Sequence, residues 1–229
     1  MRIAIVQSNY IPWKGYYDII NSVDKFVVLD DVQYTRRDWR NRNLIYTSRG
    51  LEWLTIPVET KGKFHQRINE TRVSGNHWAR SHWKKIAANY NKARYFDHFS
   101  DIFQETYLKA ETLKSLSEIN MLFITTINGL LEIGTKITQS NSPESVIEKD
   151  ERLLSICRKE GAQTYLSGPL ARGYIDEQKF KKAGINVEWV DYSGYPEYKQ
   201  LHMPFRHEVS IIDLLFNTGE NAPTYMKKF

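Results

Sequence analysis

The 229-residue chain has one cysteine, no long uninterrupted hydrophobic run and no large excess of either charge. A single cysteine excludes an internal disulfide and fits a reducing compartment. Cys157 follows Leu153 and Leu154 on the apolar side of a predicted helix, the setting of a small buried hydrophobe more than of a nucleophile. The longest apolar stretch, 121–133, is interrupted by Thr125, Thr126 and Asn128 and is too short to span a bilayer. Met1-Arg2 leads straight into a short apolar strand, so no charged-then-apolar signal segment is expected, and the expected location is the cytoplasm. Lys and Arg number 32 against 27 Asp and Glu, an excess that suits an anionic ligand without pointing to nucleic acid. No Ser-His-Asp or Cys-His set can be read off the chain. Aromatic side chains are abundant instead: 14 tyrosines and 6 tryptophans exceed the needs of a core, and some are expected to line a ligand groove.

The chain is organised around residues 3–43. Ile3 to Val6 is a short apolar run bounded by polar residues, which reads as a buried strand. Pro12 and Gly15 mark a turn; Tyr16, Tyr17, Ile19, Ile20 and Val23 then recur at helical spacing, and Phe26 to Leu29 is a second buried run. Strand, helix, strand over this length is a βαβ unit with parallel strands. Gln7, Ser8 and Asn9 leave the first strand, and Asp30 and Asp31 leave the second. Ligands of open α/β sheets bind outside the carboxyl ends of the strands, so Gln7, Asn9, Asp30 and Asp31 are the catalytic candidates, with Ser167 expected to converge on the same concave site. As adjacent strand-end residues, Asp30 and Asp31 point oppositely, so at most one is expected to serve as a ligand, for instance to Mg²⁺ between a carboxylate and a phosphate. Trp13-Lys14-Gly15-Tyr16 has the frame of the HxGH turn of nucleotidyltransferases, with aromatic residues where that motif has histidines. Trp13 and Tyr16 cannot supply an imidazolium, which weighs against nucleotidyl transfer.

Residues 34–43 follow with four arginines, Arg36, Arg37, Arg40 and Arg42, among Tyr34, Trp39, Asn41 and Asn43. Arginine without lysine suits bidentate recognition of phosphate or carboxylate, and Arg42 beside Asn43 is the leading candidate. The alternative is a solvated charged loop. Two strands near 44–46 and 52–58 form a hairpin about 48–50, and 68–73 alternates like an edge strand; this insertion is expected to extend one side of the parallel sheet. Helices are expected over 76–91, 101–113 and 116–132, the last opened by a Ser115-x-x-Glu118 capping box. His82, beside Trp78 and Ile86, reads as a packed histidine. A short strand at 135–139 precedes Ser140, Asn141 and Ser142. A helix at 150–159, a strand at 164–166 ending in Ser167-Gly168-Pro169, a loop with Arg172, a helix capped by Asp176 and a strand at 187–190 complete a second parallel set. A helix at 210–216 lies in a loop-rich tail. The expected fold is α/β and Rossmann-like: one domain over 1–229, a mostly parallel sheet, an antiparallel hairpin and helical insertion about 44–133, helices on both faces, and a loop-rich segment about 192–229.

Gln7-Ser8-Asn9-Tyr10-Ile11-Pro12-Trp13-x-Gly15-Tyr16, Leu29-Asp30-Asp31-Val32-Gln33-Tyr34, Arg42-Asn43, Trp53-Leu54-Thr55-Ile56-Pro57-Val58, Tyr165-Leu166-Ser167-Gly168-Pro169 and Ser210-x-x-Asp213-Leu214-Leu215-Phe216-Asn217 together resemble the WbqC-like family, end to end. The resemblance implies a place in O-antigen or other surface-polysaccharide synthesis and, from a proposal for one member, transfer of glycine to a sugar. The first expectation is therefore an N-acyl or aminoacyl transferase acting on an amino sugar or nucleotide-linked sugar. Asp30 or Asp31 would be its base and the amides of Gln7 and Asn9 its donors. Trp13, Gly15, Tyr16, Gln33, Arg36, Arg37, Arg42, Asn43, Ser167, Gly168 and Arg172 would hold the sugar and its phosphates. A second expectation is a non-catalytic nucleotide-sugar-binding subunit, and a third is a nucleotide-dependent ligase with an altered HxGH turn. A tRNA-borne donor would use the basic segments at 36–42 and 80–92, with salt-dependent binding. No cofactor and no oligomeric state can be named from the residues.

Overall fold

β1 (Arg2–Val6) lies at the centre of a parallel sheet, because its side chains are apolar on both faces. The computed structural model describes residues 1–140 and 148–229. Ala4 faces one hydrophobic cluster, while Ile3 and Ile5 face another. β2 (Lys25–Val28) pairs with β1 on one side, Ile3 opposite Lys25, and β6 (Thr164–Ser167) pairs on the other, Arg2 opposite Thr164. β5 (Lys136–Gln139) adds beyond β2 and β7 (Asn186–Trp189) beyond β6. The order among the described residues is β5-β2-β1-β6-β7, all parallel. The chain leaves β1 in one direction and returns to its other side at β6, so the crevice between the carboxyl ends of β1 and β6 is the switch point.

α1 (Lys14–Asn21) covers one face, with α2 (His77–Tyr90), α3 (Phe96–Thr112), α4 (Leu116–Leu130) and α7 (Ile211–Thr218) sharing the cluster around Tyr17, Phe26, Phe103, Phe123 and Phe216. α5 (Lys149–Lys159) and α6 (Glu177–Lys182) cover the opposite face through Leu153, Cys157 and Phe180. The fold is α/β, as the sequence leads one to expect. Ser115 Oγ accepts from Glu118 N at 3.4 Å at the start of α4, and Asp176 Oδ1 from Gln178 N at 2.9 Å at the start of α6, which are the two expected caps. Among the described residues no helix is long and apolar enough to cross a membrane. Asn141 and Ser142 lie outside the described residues.

Three expectations need correction. The hairpin β3 (Arg42–Thr47) and β4 (Gly50–Thr55) does not extend the parallel sheet but forms its own two-stranded sheet. The outer edge of β3 is satisfied by the helical layer: Leu44 O accepts from Ser210 N at 2.8 Å and Tyr46 N donates to the Tyr90 hydroxyl at 3.0 Å. Residues 68–73 are not an edge strand but a turn flanked by isolated bridges, held by Arg67 N donating to Glu70 Oε2 at 2.8 Å. α3 begins five residues before Asp101, because Phe99 continues the apolar stripe of Phe103, Tyr107 and Ala110 towards the N-terminus.

Candidate functional site

The carboxyl ends of β1, β2 and β6 open onto a cleft of about 880 Å³. Gln7 lines it from the exit of β1, Asp31 and Gln33 from the exit of β2, and Ser167 and Gly168 from the end of β6. The opposite walls bring in five groups that are or can become cationic: Arg40 and His65 and Arg67 from the loops, Lys149 and Arg152 from the start of α5. Glu148 is the other acid on the wall. Such a lining attracts a phosphate-bearing ligand, and guanidinium forks can grip it in two places.

The acid pair divides as the two-residue period of a strand requires. Asp30 is buried, accepting from Ser8 N at 2.8 Å and from the hydroxyl of Ser117, so it ties the exit of β1 to α4. Asp31 turns to the cleft, where its carboxylate accepts from the Ser140 hydroxyl at 3.3 Å and its carbonyl from Arg152 Nη1 at 3.3 Å. Asn9 does not line this cleft: its Oδ1 accepts from Arg40 Nη1, and it borders a second, smaller cavity. Of Gln7, Asn9, Asp30 and Ser167, Gln7 and Ser167 therefore come together on the cleft, while Asp30 sits behind its wall.

The arginines divide as well. Arg40 lies on the cleft wall, its Nη2 3.6 Å from Asp38; burial works against its charge, and Asp38, Tyr16 and Asp30 work in its favour. Arg36 donates to Thr60 O at 2.7 Å, Arg37 is exposed at φ 58°, and Arg42 lies 4.0 Å over the ring of Trp53. Asn43 is spent on the backbone, with Nδ2 donating to Tyr10 O and Ile11 O at 3.1 and 2.9 Å. Arg172 stacks over Trp189 at 5.3 Å, away from the cleft lining. Gln33 Nε2 donates to Phe64 O at 2.8 Å, and the Ser167 hydroxyl lies 3.3 Å from the Tyr165 hydroxyl.

At the turn with the HxGH frame, the space over Gly15 holds the indole of Trp13: a β-carbon there would meet its ring at 2.4 Å. Trp13 is wedged edge-on against Tyr192 and Tyr195, and Tyr16 is buried with its hydroxyl donating to Gln7 O at 3.1 Å. The glycine here admits a ring of the protein itself. His82 is a packed histidine, its Nδ1 2.9 Å from the Tyr10 hydroxyl and its pKa pushed down to about 4 by burial. Cys157 is buried, which pushes its thiol up to about 12, far from a nucleophile's range. Sequence reasoning missed Arg67, Lys149 and Arg152: Arg152 lies within the segment read as an amphipathic helix, Arg67 and Lys149 stand just before the segments read as an edge strand and that helix, and no local pattern marks them for a site formed only by tertiary contact.

The WbqC-like protein family matches residues 7–225. The chain belongs to that family. An uncharacterized protein of Mycobacterium tuberculosis (strain ATCC 25618 / H37Rv), Rv1507c, is 48% identical over 226 residues, covering 99% of this chain and 97% of its own. No solved structure matches the chain. Of the segments that resemble the WbqC-like family, those at 7–16, 29–34 and 165–169 border the cleft. The one at 210–217 serves the scaffold of this WbqC-like chain: Asp213 is buried and accepts from the Tyr198 and Tyr90 hydroxyls at 2.7 and 2.8 Å and from Gln200 Nε2 at 2.9 Å. Burial raises its pKa and those donors oppose the rise.

Proposed function

We propose that the chain binds an amino sugar carrying a phosphate or nucleotide in the cleft and transfers an acyl or aminoacyl group to its amine. The observation that supports this reading is Asp31, alone of the acid pair, lining a cleft together with Arg40, Arg67, Lys149 and Arg152. The cations hold the phosphates, and Asp31 accepts the proton of the amine. The amine nitrogen attacks the carbonyl carbon of an activated donor such as a thioester or an aminoacyl ester. The new C–N bond forms first, pushing the carbonyl electron pair onto oxygen; the oxyanion then collapses, the bond to the donor's leaving group breaks, and that group departs with the electron pair. The Gln7 side-chain amide and Gly168 N–H are the nearest candidates to steady the oxyanion between these steps. Glycine as the transferred group, and surface-polysaccharide synthesis as the setting, come from the family resemblance. A second reading, binding without turnover, is favoured by the indole of Trp13 over Gly15, which leaves that turn without a phosphate cradle.

Thermal shift with UDP-glucosamine, followed by turnover assays with glycyl and acetyl thioesters, tests both. The expected result is a rise in melting temperature for wild type and Asp31→Asn alike, with turnover lost in the variant, because an amide cannot take the amine proton. Turnover surviving in Asp31→Asn removes the residue as base. A shift without turnover in wild type favours the binding subunit, and no shift with any phosphate-bearing sugar sinks both readings.

A further inference from the structure

We infer that a second cavity, of about 300 Å³ and walled by Trp13 and Trp39, binds one uncharged sugar ring. This goes beyond the cleft reading and does not depend on it. The volume lies at the small end of ligand sites and leaves room for a ring but not a nucleotide. Both indoles are held in place before any ligand arrives. Trp13 is fixed by Gly15, Tyr192 and Tyr195. Trp39, 42% exposed, leans on Trp53 at 5.4 Å, which is itself backed by Arg42. Rigid aromatic faces of this kind take the C–H face of a ring at little entropic cost.

The polar groups of the pocket suit hydroxyls. Asn9 Oδ1 is held by Arg40, which leaves Nδ2 to donate into the cavity that Asn9 lines. His207 lines it too, and its Nδ1 is buried with no hydrogen-bond partner. Asn43 also borders the cavity, but its amide is engaged by backbone. The charges oppose any ion. Glu208 is exposed on the lining, 3.6 Å from Arg206, and would repel a phosphate. Arg40 behind Asn9 and Lys14, whose charge acts on His207, would repel an ammonium. A neutral ring with an apolar face and a hydroxyl rim meets every one of these conditions, and a carboxylate such as Glu208 can accept from two neighbouring hydroxyls.

The test is saturation-transfer NMR with methyl N-acetylglucosaminide and methyl glucoside on the full chain, with phenol as an apolar competitor. Transfer to ring protons is expected, with affinity about tenfold weaker in Trp39→Ala, the upper end of what an aromatic contact contributes. Trp39 is partly exposed, so this variant leaves no core void; His207→Ala, checked for an unchanged melting temperature, gives an independent arm. Arg152→Ala should leave glycoside binding intact while weakening UDP, which separates this pocket from the cleft. The inference is overturned by no transfer from either glycoside, by transfer unchanged in both Trp39→Ala and His207→Ala, or by phenol displacing the sugar at equal concentration. Glycoside binding without any UDP binding would sink the cleft reading and leave this one standing.

Discussion

Arg40 and Arg42 stand two positions apart, yet only Arg40 lines the cleft. Arg42 opens β3, where its cross-strand partner is Thr55, and Trp53 lies two residues further along on the same face of the hairpin. That diagonal geometry draws its guanidinium onto the indole. If the cleft holds phosphates, Arg40→Lys should weaken UDP binding about tenfold by calorimetry, since one charge remains but the fork is lost. Arg42→Lys should leave UDP affinity within about twofold, because its charge is spent at the hairpin; the opposite ranking would return the role to Arg42. The sequence makes the arginine-rich loop legible as an anion-binding candidate. It does not say which arginine faces inward, because that depends on where β3 begins and on the left-handed turn at Arg37. Likewise, the opposed directions of Asp30 and Asp31 follow from strand geometry, but the choice of Asp30 as the buried one is made by Ser117, from a helix 87 residues away.

Two helices carry buried ionisable groups whose effects on stability oppose each other. On α1, burial pushes Asp18 up from 3.8 to about 6, against the Tyr195 hydroxyl that donates to it and the nearby charges of Lys14 and Lys227. Its folded pKa is above its unfolded one, so its contribution is complete below pH 3.8 and is lost as pH rises through about 6. On α2, burial pushes His82 down from 6.5 to about 4, despite its bond to the Thr55 backbone. The unfolded chain takes up that proton first as pH falls, so stability is lost from 6.5 down to about 4. Each effect is worth about 3 kcal/mol, so in wild type they nearly cancel across this window. Urea midpoints measured from pH 4 to 7 should therefore become steeply acid-sensitive in Asp18→Asn, and should fall with rising pH in His82→Gln. Parallel profiles for the two variants would refute the assignment. α1 offers a further test at Gly15. Alanine gains about 1 kcal/mol of helix propensity, but its methyl would sit 2.4 Å from the Trp13 ring. Expelling an indole packed between two tyrosines costs more, about 1–3 kcal/mol net, and a thermal melt followed by tryptophan fluorescence should show both the loss and the displaced ring.

For the molecule as a whole, the parallel sheet was readable because β1 and β2 are short apolar runs with polar residues at their carboxyl ends, and because strands and helices alternate again from β5 to β7. Its helices were readable from their stripes and from caps such as Ser115 and Asp176. The independence of the hairpin was not, since nothing local in 42–55 announces that Leu44 and Tyr46 spend their backbone groups on Ser210 and Tyr90. The same long reach governs the central strand. β1 is the first segment of the chain, yet one of its two neighbours, β6, begins at Thr164. During synthesis, residues 2–6 leave the ribosome with an open edge that the chain cannot cover until Thr164 to Leu166 have followed, and unpaired apolar edges of this kind invite association with other chains. Stalled nascent chains ending near residue 140 should thus be digested by protease throughout, whereas chains with 167 and the following helix clear of the exit tunnel should resist. An innermost strand whose second partner is made so much later leaves an unpaired edge for a chaperone to shield over that stretch of translation.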